Sequence, residues 1–222
     1  MATTNREKRR EQILDGLFHA MAHRQADSVS ISDIAGAANI ARGALHYYFE
    51  SKDEIRACLM RKLGDAYIQN LDAYLNASSA HEPIEPIERL VQFHFGASTS
   101  NRVADLMAVW IEFWGQAASD MALNKVVLDV QENARFLCRK VALGAAPQLA
   151  LLPESTQREI SATLLALIEG GLLQWRVALN TDAPLGQTRL AECISAAIQA
   201  YLEKITQMIN NNENSLARRS AQ

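Results

Sequence analysis

Between Ser30 and Phe49 the chain is punctuated twice within twenty residues, and this limits the fold more than any other feature. Ser30 with Asp33 three residues on has capping-box spacing, which opens a helix through Ile34, Ala35 and Ala38. Asn39 ends it, since asparagine accepts the left-handed backbone that closes helices. A second short helix runs from about Ala41 to Phe49. A small residue, Ala35, stands where the two helices meet. Ile34, Ala38, Ile40, Leu45 and Tyr48 supply the apolar contacts that hold them at a fixed angle. This order and spacing describe a helix-turn-helix.

The rest of the chain is helical in pattern. Asn5 to Arg24 repeats apolar residues at Ile13, Leu14, Leu17, Phe18 and Met21. Ser51 and Glu54 form a second capping box, followed by a long helix with Ile55, Leu59, Leu63 and Ile68 in step, to about Leu75. All five prolines come after residue 82, and Pro83, Pro86, Pro147, Pro153 and Pro184 mark the loops. Between them the pattern predicts helices near 87–99, 102–118, 121–144, 154–180 and 187–210. With 35 Ala and 26 Leu against 10 Gly, and no sustained alternation, the fold class is all-α. The expected organisation is a three-helix domain over 1–50, a larger helical domain over 51–210 and a disordered tail over 211–222.

Several classes are excluded. The longest stretch without a charged residue, Val141 to Pro153, is 13 residues, short of the roughly 20 that span a bilayer. No apolar run follows the charged N-terminus, so no signal peptide is expected. Three cysteines, Cys58, Cys138 and Cys193, lack CxxC spacing and suit a reducing compartment, which points to the cytoplasm. His19 and His23 have metal-ligand spacing but no third ligand, so no metal site is expected. No phosphate loop and no nucleophile–base set is visible. We therefore expect no catalytic residues, no cofactor and no enzyme activity.

The net charge of −3 hides an asymmetry. Residues 1–62 hold 10 Lys and Arg against 8 Asp and Glu, and Arg6, Lys8, Arg9 and Arg10 crowd the first ten positions. A basic arm beside a helix-turn-helix suits a polyanion; a solvated terminus is the plainer alternative. The second helix of the motif would present Arg42, Gly43, Ala44, His46 and Tyr47 to a major groove. The segment Ile31 to Phe49, continued by Lys52 and Ile55, resembles the tetracycline-repressor (TetR) family of transcriptional regulators, with the specific likeness over about residues 8–60. The resemblance implies a homodimer on double-stranded DNA, at a palindromic operator. It assigns Ser30 and Lys52 to phosphates, Arg42 to guanine, Gly43 to close backbone approach, Ala44 to a thymine methyl, and His46 and Tyr47 to bases or phosphates. Arg6, Lys8 and Arg9 would follow the backbone or enter the minor groove. Where the family often has Gly, Ser or Thr, this chain has Asn39, Ala41 and Ala44, so no operator sequence transfers.

The C-terminal region has its own pattern. The Ala108–Trp114 and Leu167–Trp175 segments resemble a subgroup that includes choline-responsive repressors of betaine synthesis. The resemblance implies a small organic effector. Candidate contacts are Phe93, Met107, Trp110, Glu112, Phe113, Trp114, Phe136, Gln174 and Trp175. Glu112, Glu169 and Gln174 are polar groups within apolar helices; an aromatic wall with a carboxylate suits a cation. Ordinary core packing is the competing account of the same aromatics. The stripe Ile168, Leu172, Ile194, Ile198, Tyr201 and Ile205 is the expected dimer interface, with Gly170-Gly171 permitting close approach. A DNA binder with no small effector is the alternative function.

Overall fold

The computed structural model describes residues 4–23, 28–77, 85–96, 101–178 and 186–220; the side chains of residues 23, 101–104 and 213–220 are outside that set. Among the described residues the chain is helical, with no strand. The order is α1 (Asn5–His23), α2 (Ile31–Ala37), α3 (Arg42–Tyr48), α4 (Lys52–Asn76), α5 (Pro86–Phe95), α6 (Asn101–Ala117), α7 (Met121–Ala145), a 3-10 turn (Pro147–Leu151), α8 (Glu154–Ala178) and α9 (Gln187–Ser220). The all-α expectation holds. Pro86 opens α5 at a position where a missing N–H costs nothing. The loops expected at Pro83 and Pro184, and the α1 end expected at Arg24, lie outside the described residues.

The predicted punctuation is present. Ser30 Oγ accepts from the Asp33 amide at 3.2 Å, while Asp33 Oδ2 accepts from the Ser30 amide at 2.8 Å. Asn39 has φ of 51°, the one positive value on a non-glycine residue among those described. Ser51 Oγ accepts from the Glu54 amide at 3.0 Å, but the Glu54 carboxylate reaches one residue further back, to the Glu50 amide at 2.7 Å.

The contacts divide the chain into two compact units: residues 1–68 with 99–131, and residues 69–98 with 132–222. α4 and α7 each continue from one unit into the other. This grouping differs from a division at 50/51, because the first unit takes in most of α4 and all of α6. The three short N-terminal helices do not close a core alone; α1 also packs on α6. Ile13, Leu17, Ile34, Leu45, Ile55 and Phe113 are among its fully buried side chains. At Gly16 a Cβ would lie 3.0 Å from the Ala38 amide nitrogen and 3.1 Å from the Ile34 carbonyl, so α1 crosses directly on the backbone of α2.

In the second unit α5, α8 and α9 pack together. Here two expectations are corrected. Ile168, Leu172, Ile194 and Ile198 are buried within the subunit, and Tyr201 and Ile205 are half-buried. The four buried residues of the stripe assigned to the dimer belong to the unit's own core, while Tyr201 and Ile205 keep part of their surface exposed. Gly171 serves that core as well: a Cβ there would lie 2.3 Å from Ile194 Cδ1 and 3.1 Å from Phe95 Cζ. The outward face of α8 is a different apolar row, Ala166, Leu167, Gly170, Leu173 and Val177. α9 turns out Cys193, Ala196, Ala197 and Ala200. Second, the expected disordered tail over 211–222 continues α9 through Ser220. Leu, Ala and Arg in that stretch favour helix, and a long preceding helix spares it the nucleation cost.

Candidate nucleic-acid interface

The second helix of the motif, α3, is anchored on one side only. Leu45 is fully buried, Ala44 and Tyr48 are half-buried, and Arg42, Gly43, His46 and Tyr47 face solvent. Tyr47 is 73% exposed. A Cβ on Gly43 would meet nothing within 4 Å, so the backbone there is open to close approach. The helix starts at Ala41 with no side-chain cap, as its lack of a hydroxyl requires. The Ala44 amide donates to the Ala41 carbonyl at 2.9 Å, so no side chain takes part in closing the first turn.

The basic arm meets this helix. The Arg6 guanidinium carbon lies 5.9 Å from the Tyr47 ring centroid, a cation–π distance. Lys8 and Arg9 are exposed on α1, with Arg9 bonded to Gln12 at 2.9 Å. Thr4 and Glu7 cap α1 reciprocally, at 3.2 Å and 2.7 Å, and those bonds hold the Glu7 carboxyl below the usual carboxylate range. Lys52 is the first residue of α4 and half-buried. Arg6, Arg42, His46 and Tyr47 thus belong to one solvent-facing group of donors. Ser30 is different: its hydroxyl donates to Asp33 Oδ2 at 2.6 Å. As it stands, Ser30 is a helix cap whose proton is already used.

Sequence reasoning named Arg10 only as part of the basic run. The structure gives it a different part. Its guanidinium lies 3.9 Å from the Phe49 ring centroid, bonds the Tyr48 carbonyl and pairs with Glu54 at 3.3 Å.

The effector candidates fall into both units. In the first, Trp110 and Met107 are half-buried, Trp114 is 41% exposed and Phe113 is fully buried in the core. Trp110 packs on Tyr67 with centroids 5.9 Å apart. Glu112 accepts from Gln116 Nε2 at 3.0 Å, and Gln116 Oε1 accepts from Arg56. In the second unit Phe93 packs on Tyr74 at 5.6 Å, Trp175 is buried, and Gln174 and Phe136 are exposed. Phe136 lines a concavity of about 590 Å³ with Arg135, Arg139, Arg158, Glu132 and Glu154, which is charged rather than aromatic. Burial pushes the Glu169 carboxyl up to about 7, and the Cys138 thiol up to about 12. Phe113 and Trp175 are both buried, a placement that core packing and an enclosed pocket share. Among the described residues no cluster of His, Cys, Asp and Glu is placed to hold a metal ion, and no helix is long and apolar enough to cross a membrane.

Two family models match this chain: the bacterial regulatory proteins of the tetR family over residues 13–57, and the C-terminal domain of BetI-type transcriptional repressors over residues 83–204. The chain belongs to the TetR family, with a BetI-type C-terminal domain. It is a transcriptional regulator. Its curated relatives include the transcriptional regulator BetI of Serratia proteamaculans, 28% identical over 73% of this chain and 78% of that protein. BetI of Burkholderia mallei is 27% identical over 81% of this chain and 89% of that protein. Solved structures support the fold. A Rhodococcus transcriptional regulator superposes with a TM-score of 0.69 at 20% identity, covering 88% of this chain and 96% of that one. A Saccharomonospora viridis protein solved in complex with choline gives 0.69 at 18% identity, covering 86% and 96%. TetR-family regulators bind DNA and small molecules, dimerise, and are not enzymes.

Proposed function

We propose that two copies of this regulator bind a palindromic operator, each placing α3 in a major groove, and that a small organic effector releases them. The observation that carries the first half is the single-sided burial of α3. Leu45 faces the core while Arg42, His46 and Tyr47 are exposed beside the basic arm. Two-fold symmetry would set the grooves about one helical turn apart. Arg6, Lys8, Arg9 and Lys52 contact phosphate or the minor groove in this reading, and Gly43 and Ala44 allow close approach to the bases. Ser30 joins only by exchanging its Asp33 bond for a phosphate.

The dimer forms on the outward rows of α8 and α9. Leu167, Leu173 and Val177 are exposed by 37%, 42% and 67% within one subunit, and a second copy would cover them. The effector half rests on the BetI-type C-terminal match and on the choline complex of the S. viridis protein. Met107, Trp110, Glu112 and Trp114 are the candidates of the first unit, and Phe93, Phe136 and Gln174 those of the second. α4, like α7, continues from one unit into the other and is the covalent path we assign to a response. An effector weakens DNA binding only by its differential affinity for the two states.

The test is selection of genomic fragments by purified protein at a stated salt concentration, followed by sequencing. An enriched palindrome is the expected result. Retention that vanishes uniformly with salt and enriches nothing would leave only phosphate binding. Choline and a broad metabolite panel are then titrated against Trp fluorescence and operator binding. Saturable change with loss of operator affinity supports the effector. No response from any ligand, with operator binding intact, would favour the regulator without one.

A further inference from the structure

The first helix carries four basic residues in five positions, Arg6, Lys8, Arg9 and Arg10, and only the last turns inward. Arg10 Nη1 donates to the carbonyl of Tyr48, the last residue of α3. Its guanidinium carbon lies over the Phe49 ring, 3.9 Å from the centroid. Nη2 pairs with Glu54 Oε1 at 3.3 Å and approaches Cys58 Sγ at 3.7 Å. Glu54 in turn accepts the Glu50 amide on its other oxygen at 2.7 Å and is held to Ser51 through its own amide at 3.0 Å. One side chain on α1 therefore ties the C-terminal end of α3 to the first two turns of α4.

We infer that Arg10 is the positioning residue of the recognition helix, acting with Glu54 to fix the angle at which α3 meets DNA. This rests on the DNA-binding reading but has a consequence of its own. α3 is seven residues long, has no side-chain cap at its start and buries Leu45 alone. A helix so short is set by tertiary contacts rather than by its own propensity. Arg10 supplies a charge-assisted bond to one of its unpaired terminal carbonyls, and a planar ion can do that while stacking on Phe49. Lysine keeps the charge but loses the fork and the stack. A cation acting on phosphate would behave in the opposite way: lysine would replace it.

Amide hydrogen exchange on the free protein tests the inference without DNA. In Arg10→Met and Arg10→Lys, exchange over residues 42–50 is expected to quicken about tenfold while the amides of α6 and α8 keep their protection. Unchanged protection of α3 would overturn the inference. So would loss spread evenly over all helices, which marks a general stabilising role. The second arm uses the duplex enriched from genomic DNA. Glu54→Gln removes a negative charge from the DNA-facing unit, so electrostatics alone predicts tighter binding to every duplex. Positioning predicts about tenfold weaker binding to the enriched duplex, none of it recovered on scrambled DNA. Arg10→Lys should show the same loss with the salt slope of the parent. A slope lowered by about one in Arg10→Met, with full rescue in Arg10→Lys, would make Arg10 a phosphate contact instead. If no duplex is enriched, the operator reading fails, and the exchange result still decides the case of Arg10.

Discussion

At the level of single residues, exposed donors and buried anchors part company along α3. Arg42 and Lys52 stand at the starts of α3 and α4, but predict different losses. If Arg42 reads guanine, Arg42→Ala costs about 1–3 kcal/mol on the selected operator and relaxes preference at one base. Lys52→Ala weakens every duplex alike and lowers the salt slope by about one. Titrations at three salt concentrations on operator and scrambled DNA separate them. The backbone positions are as specific. Asn39 sits at φ of 51°, so Asn39→Ala should cost about 1–2 kcal/mol in urea unfolding, whereas Asn39→Gly stays near neutral. Asn39 was legible in the sequence because its signal is local. Gly16 was not: inside a helical pattern it looks like lost propensity alone. Its reason is the α2 backbone 3.0 Å from where a Cβ would be. Gly16→Ala should gain about 1 kcal/mol in propensity yet lose about 1–3 by overpacking, a net destabilisation measured by the same unfolding curves.

At the level of helices, the sequence told where α8 and α9 lie but not which way they face. Hydrophobic periodicity locates an apolar face; α8 has two, and only packing against α5 and α9 decides which is inside. Ile168, Leu172, Ile194 and Ile198 went inward because Gly171 lets α8 approach Ile194 and Phe95 closely. The capping residues, with Pro86, Pro147 and Pro153, by contrast, set helix limits locally and were legible. The candidate site divided the same way. Exposure of Arg42, His46 and Tyr47 followed from the motif's spacing, while the burial of Phe113 and Trp175 depended on distant helices. If the outward rows of α8 and α9 form the dimer, Leu173→Glu with Val177→Glu yields a folded monomer by sedimentation and circular dichroism. Ile198→Glu, at a fully buried position, should instead unfold the chain. A dimer unaffected by the first pair would move the interface elsewhere.

For the molecule as a whole, two buried groups in the second unit pull stability in opposite directions between about pH 4.5 and 6.5. Burial holds His94 at about 4, with its Nδ1 2.8 Å from the Leu90 carbonyl. The folded value lies below the unfolded one near 6.5. The unfolded chain therefore binds the proton first, and this stability, full above 6.5, is lost as pH falls toward 4. Glu169 behaves in reverse. Burial raises it to about 7, above its unfolded value near 4.5, so its contribution is full below 4.5 and is lost as pH rises through 7. Between about 4.5 and 6.5 the two slopes have opposite signs, each on the order of 1 kcal/mol per pH unit, and largely cancel. The parent protein should thus show a nearly flat urea midpoint across that window. His94→Gln leaves Glu169 unopposed, so the midpoint should climb as the solution is acidified. Glu169→Gln leaves His94 unopposed, so the midpoint should drop over the same range. Parallel curves for both variants would show that neither group is desolvated as the packing of α5 and α8 implies, because each slope requires its own side chain to resist charging in the folded state.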